Sequence, residues 1–129
     1  CTGGRIAQMI TAIPGSSAVF LQGVVAYHND AKSQLLGVDT DLIRDDGAVS
    51  EPVALAMADG IMKKSGADIG LAVTGIAGPA GGTAEKPVGT VCIAMVTKAG
   101  TETSDTHHFS GEREQIQIRS AYAVLAQLF

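Results

Sequence analysis

A chain of 129 residues fits one domain with one core, and a domain of that size buries roughly two-thirds of the surface its unfolded chain exposes. The apolar content of 46% is aliphatic with no Trp, no apolar run reaches the roughly eighteen residues of a membrane span, and no charged-then-apolar start marks a signal peptide, so no membrane partner and a cytoplasmic location are expected. Net charge of −4 with nine scattered Lys and Arg excludes the clustered cations of a nucleic-acid surface, but leaves room for a small anion held by one or two placed cations and a helix end.

Cys1 and Cys92 are too few for a disulfide framework and lack zinc-ligand spacing. A mean hydropathy of +0.24 is high for a small domain, which points to a self-association surface, and so to a homo-oligomer, or to a core lacking a piece of chain.

Thr2-Gly3-Gly4-Arg5 leads into Ile6, Met9, Ile10 and Ile13 at i, i+3, i+4, i+7, which predicts a helix that Pro14-Gly15-Ser16-Ser17 stops. Val19–Tyr27 is nearly continuous, β-branched apolar sequence and predicts a strand covered on both faces, interior to a sheet. Asn29 or Asp30 caps a short helix to Leu36, ended by Gly37; residues 38–49 are polar, with an Asp45-Asp46-Gly47 turn signal. Ser50-Glu51-Pro52 opens a helix to about Lys64 that carries Val53, Met57 and Ile61 on one face and Leu55, Ala58 and Met62 on another.

Asp68–Thr74 predicts a short buried strand, followed by a glycine-rich stretch from Gly75 to Lys86. Val88–Val96 and Thr103–Phe109 predict a hairpin turning at Ala99-Gly100. A last helix from about Glu112 places Ile118, Tyr122, Leu125 and Phe129 inward. The expected architecture is a single α/β domain over residues 1–129: a mixed sheet flanked by helices in three α/β/α layers. A Thr-Gly-Gly turn opening a helix usually follows a strand, so an N-terminal strand missing from this sequence is expected ahead of Cys1.

Three stretches carry candidate chemistry. Thr2, Gly3 and Gly4 at a helix start suit an anion, since free N–H groups point outward there; the same residues suit an ordinary cap and tight turn. The run Gly75-Ile76-Ala77-Gly78-Pro79-Ala80-Gly81-Gly82-Thr83 leaves a buried strand where open α/β sheets bind ligands, and it matches neither GxGxxG nor the P-loop. Tyr27 and Lys32 bring a phenol and an amine together where a strand meets a helix; the helix dipole disfavours the charged amine there, although a solvated Lys32 beside a core-capping Tyr27 reads equally well. His107 and His108 are adjacent on a strand and point to opposite faces, so no metal and no cofactor are expected. There is no GxSxG elbow either.

Cys1-Thr2-Gly3-Gly4, Gly23-Val24-Val25-Ala26-Tyr27 running into Asn29, Ala31 and Lys32, Leu35-Leu36-Gly37-Val38, Val49-Ser50-Glu51, Thr74 through Gly82, Pro87-Val88-Gly89-Thr90-Val91 and Phe109-Ser110-Gly111-Glu112-Arg113 follow one another in an order that resembles the C-terminal domain of the CinA competence and damage-inducible proteins. The resemblance covers essentially the whole chain. It implies an amidohydrolase that converts nicotinamide mononucleotide to nicotinic acid mononucleotide and ammonia in pyridine-nucleotide salvage. It further implies a nucleophilic serine just before Cys-Thr-Gly-Gly, a position outside this sequence, assisted by Tyr27 and Lys32. Thr74 and neighbouring N–H groups are the expected oxyanion donors and Arg113 the expected phosphate ligand, with Thr2, Gly3, Gly4, Gly75, Gly78, Gly81 and Gly82 around the substrate. Cys1 replaces the serine only if its side chain faces the site. The alternative is a non-catalytic nucleotide-binding or regulatory domain of the same kind of protein.

Overall fold

A computed structural model describes all 129 residues as an α/β domain. In chain order the elements are α1 (Arg5–Thr11), a 3-10 turn (Ser16–Ala18), α2 (Asn29–Leu36), α3 (Thr40–Asp46), α4 (Glu51–Ser65), β1 (Ile69–Gly75), β2 (Thr90–Thr97), β3 (Glu102–His108) and α5 (Arg113–Ala126). No helix is long and apolar enough to cross a membrane. The three strands form one antiparallel sheet in the order β1-β2-β3, with Thr74 opposite Cys92 and Cys92 opposite Thr106.

The two faces of the sheet hold separate cores. On one, α4 lays Val53, Ala54, Met57, Ala58 and Met62 against Ala72, Cys92, Ala94 and Val96, and α2 adds Leu36. On the other, Ile116 and Val124 of α5 cover Val91 and Ile93, with Ile6 of α1 at the margin. Small residues set how closely α4 packs: a Cβ on Gly70 of β1 would stand 2.0 Å from the Ala58 carbonyl oxygen, and one on Gly60 would stand 2.0 Å from that of Leu36. Ser50 caps α4 by accepting from Val53 N–H, and both Glu51 carboxylate oxygens accept hydrogen bonds from Ser104 and Thr106, which ties the start of α4 to β3. Those two bonds hold the Glu51 carboxyl below its ordinary pKa.

Four expectations need correction. Val19–Tyr27 is not a strand: no backbone hydrogen bond joins residues 21–27 to any neighbour, and Val19 is 78% exposed. Its apolar, β-branched sequence gives the right local bias, but a strand exists only where another edge pairs with it, and here none does. The cap of α2 is the His28 ring, whose Nδ1 accepts from Asp30 N–H, rather than Asn29 or Asp30.

Residues 38–49 contain a helix, α3. The carboxylate of Asp39 caps it by accepting from Asp41 N–H, and Arg44 pairs with Asp41 one turn away; its two apolar residues, Leu42 and Ile43, are too few for a periodic signal. Finally, α5 turns its smaller stripe inward. Ile116, Ser120, Ala121 and Val124 are buried, whereas Ile118 and Tyr122 face solvent. Both stripes have helical spacing, and the sheet accepts the slimmer one because Ser120 satisfies its own hydroxyl on the Ile116 carbonyl. Both cysteines are free, Cys92 within the α4 core.

Candidate active site

The C-terminal end of β1, the start of α2, the linker between α3 and α4, the glycine loop and the start of α5 surround a cavity of about 280 Å³. That is near the lower end of the range for small-molecule sites. Tyr27, Lys32, Thr74, Gly75, Gly78, Gly81 and Arg113 all line it. Thr2, Gly3 and Gly4 instead line a neighbouring apolar groove, which shares Cys1, Ala26, Tyr27 and Val73 with the cavity; Gly82 lines neither. Two cations and no carboxylate reach the cavity, although the chain as a whole is acidic.

Lys32 is the most constrained of these groups. It is 6% exposed, its Nζ donates to the Ala26 carbonyl at 3.2 Å, and no carboxylate pairs with it. Burial pushes its pKa down. The solvated alternative is overturned. So is a core-capping Tyr27, a residue that is 73% exposed.

Arg113 joins two walls of the cavity. Its Nη1 donates to the Gly78 carbonyl at 2.7 Å and its Nη2 to Tyr27 Oη at 3.3 Å. The N–H groups of Ala77 and Gly78 have no acceptor within the chain, so the loop presents free donors beside the guanidinium. Thr74 departs from its expected part. Its hydroxyl is buried and donates to the Ala48 carbonyl at 2.7 Å, which fixes the linker opposite the glycine loop and leaves no free proton for an oxyanion. Lys86 braces the same linker from the far side of the loop through the Asp46 carbonyl, 2.9 Å away.

Cys1 also lines the cavity. The turn after it, Gly3 and Gly4, has positive φ and starts α1 without a side-chain cap, so the capping part expected of Thr2 is not made. Sequence reasoning missed Asn29, Ala48 and Val49 as lining residues. The linker pair carries no chemical signature, and only the fold brings it to the site.

The family model of the CinA C-terminal domain matches residues 1–129. Among curated relatives, a CinA-like protein of Geotalea uraniireducens is 54% identical over 125 residues, covering 97% of this chain and 30% of its own length. Another CinA-like protein, from Desulfotalea psychrophila, is 57% identical over 121 residues, covering 94% and 29%. The chain thus spans about a third of the length of these relatives. Among solved structures, the competence/damage inducible protein CihA from Agrobacterium tumefaciens superposes with a TM-score of 0.97 at 45% identity, over 99% of this chain and 78% of that one. A CinA superfamily protein from Escherichia coli gives 0.94 at 35% identity, over 99% and 74%. With sequence and fold in agreement, the chain belongs to the CinA C-terminal domain family.

Proposed function

We propose that this domain hydrolyses the carboxamide of nicotinamide mononucleotide, releasing ammonia and leaving nicotinic acid mononucleotide. The observation that carries the reading is the cavity lined by Lys32 and Arg113 with no acid among its walls, in a chain of net charge −4. Such a cavity favours a small anion, and its guanidinium suits a phosphate.

The chemistry needs a nucleophile, a base and oxyanion donors. By the family resemblance the nucleophile is a serine immediately before Cys1, a residue that lines the cavity together with Lys32 and Arg113. A lysine whose pKa is lowered by burial is neutral in a larger fraction of molecules, so its Nζ accepts the serine proton as oxygen attacks the carboxamide carbon. The proton is then passed to the departing amide nitrogen, which leaves as ammonia. Water cleaves the resulting ester, giving the carboxylate and restoring the serine. By the family resemblance Tyr27 assists, and the hydrogen bond that its Oη accepts from Arg113 supports that part. The free N–H groups of Ala77 and Gly78 replace Thr74 as oxyanion donors, each such donor being worth about 3–4 kcal/mol in the transition state.

Ammonia release by the full-length protein, with nicotinamide mononucleotide and with its phosphate-free riboside in parallel, tests the proposal. Release from the mononucleotide, much reduced for the riboside, supports it. Tight binding without release favours the regulatory alternative, and neither binding nor release removes both.

A further inference from the structure

Few hydrogen bonds hold the glycine loop. At its root, Ile76 N–H donates to the Thr90 carbonyl and the Ile76 carbonyl accepts from Gly89 N–H; further along, the Gly78 carbonyl accepts from Arg113. At the far end a turn closes on itself, with Thr83 N–H donating to the Lys86 carbonyl at 2.9 Å and Lys86 N–H to Thr83 Oγ1 at 3.0 Å. Between these ties the N–H groups of Ala77, Gly78, Ala80, Gly81 and Gly82 have no acceptor within the chain. A glycine-rich arc without bonds of its own gives up much conformational entropy to keep one shape, so its two ends must be held.

The opposite wall of the cavity is stiffer. Three successive carbonyls where α3 gives way to the linker each accept from a side chain of a different element: Asp46 O from Lys86 Nζ at 2.9 Å, Gly47 O from Ser50 Oγ at 2.8 Å and Ala48 O from Thr74 Oγ1 at 2.7 Å. Ser50 is the cap of α4 and Thr74 lies in β1, so two of these bonds anchor the linker to regular structure whatever the loop does. The bond from Lys86 comes from the loop, and no other hydrogen bond joins residues 76–86 to residues 46–50. Gly47 makes room for it: its φ is +82°, and a Cβ there would stand 3.0 Å from Lys86 Nζ. No carboxylate pairs with Lys86, so its ammonium is committed to the linker carbonyl.

We propose that Lys86 is a positioning residue of the reaction: its bond to the Asp46 carbonyl latches the far end of the glycine loop to the linker, and thereby fixes the gap between the two walls and the aim of the Ala77 and Gly78 N–H donors. Lys86 is not among the residues that line the cavity, so it acts through the loop and not on the substrate. Arg113 is carried by α5 and Lys32 by α2, and both keep their places when the latch opens. Release of the loop therefore spoils the oxyanion donors while the phosphate keeps its guanidinium. The catalytic half of this inference rests on the deamidase reading; the latch itself does not.

Lys86→Met in the full-length protein, which keeps a linear side chain and removes its donors, tests both halves. Limited proteolysis by subtilisin without substrate, with the cut sites read by mass spectrometry, is expected to cleave within residues 79–85 about tenfold faster in the variant. Equal cleavage rates would overturn the latch. In steady-state ammonia assays with nicotinamide mononucleotide, kcat is expected to fall about 10- to 100-fold, the cost of a catalytic group displaced by an ångström or less, with KM within about threefold of the unsubstituted protein. An unchanged kcat, or a loss carried wholly by KM, would overturn the positioning role. No ammonia from the unsubstituted protein would remove the deamidase reading and the catalytic half together, and the cleavage rates would still decide the latch.

Discussion

Replacing Lys32 with Met isolates what a buried ammonium does here, because the variant keeps a flexible linear side chain and removes only the charge. In the native protein Lys32 is 6% exposed with one neutral acceptor, Ala26 O, and burial holds its folded pKa below the ordinary 10.5. Between the folded and unfolded values, the unfolded chain binds more protons at this position than the folded one. The stability of the native protein must therefore rise with pH across that window, by up to about 1.4 kcal/mol per pH unit, and this contribution is absent below the folded pKa. Lys32→Met has no such slope. Urea unfolding of both proteins at steps from pH 7 to 10.5, with the two free energies subtracted at each pH, reads the difference directly and cancels every other titrating group. The account expects the native protein to gain on the variant as pH rises. Two parallel profiles would show that Lys32 is solvated, and would remove the reason for treating it as a base.

Thr74→Val leaves the Ala48 carbonyl without its donor and is expected to cost about 1–3 kcal/mol, which for 129 residues is a fall of roughly 4–11 °C in Tm by calorimetry. Turnover per folded molecule should change far less than in Lys32→Met, since the Thr74 proton is committed to the linker. Gly70→Ala sets a methyl 2.0 Å from the Ala58 carbonyl oxygen and 2.9 Å from Met62 Cβ, so thermal unfolding should show a loss at or above the usual 1–3 kcal/mol of an overpacked core. Arg113→Ala should raise KM for the mononucleotide about 10- to 100-fold, the value of a charge-assisted hydrogen bond or two, with a smaller effect on kcat in steady-state ammonia assays.

Local signals were strong enough to read α1, α4 and the β2–β3 hairpin from the sequence, because each is punctuated: Thr-Gly-Gly ahead of Arg5, Ser50-Glu51-Pro52 ahead of Val53, and Ala99-Gly100 between two β-rich runs. What failed depended on partners. The inward face of α5 has no local signature, because Ile118 and Tyr122 are as regularly spaced as Ile116 and Val124 and only the sheet decides between the two stripes. The composition of Val19–Tyr27 asks for two covered faces, and the open groove beside it explains that composition without supplying the pairing of a strand.

At the candidate site the same division holds. Tyr27, Lys32, the glycine loop and Arg113 were legible as motifs, and the fold brings them around one cavity. The burial of Lys32 and the use of the Thr74 hydroxyl as a structural donor are tertiary facts with no local signature. The second of these moves the expected oxyanion donors from a side chain to the main chain of the glycine loop.

The pH dependence of kcat/KM for ammonia release from nicotinamide mononucleotide, measured on the full-length protein and on its Lys32→Met variant, puts the central claim at most risk. A buried lysine acting as base predicts a rate that climbs to a plateau below pH 10.5 as Nζ loses its proton, together with a fall of about 10²- to 10⁴-fold in the variant and the disappearance of that limb. The same limb and the same rate in both proteins would mean that the chemistry is done without Lys32.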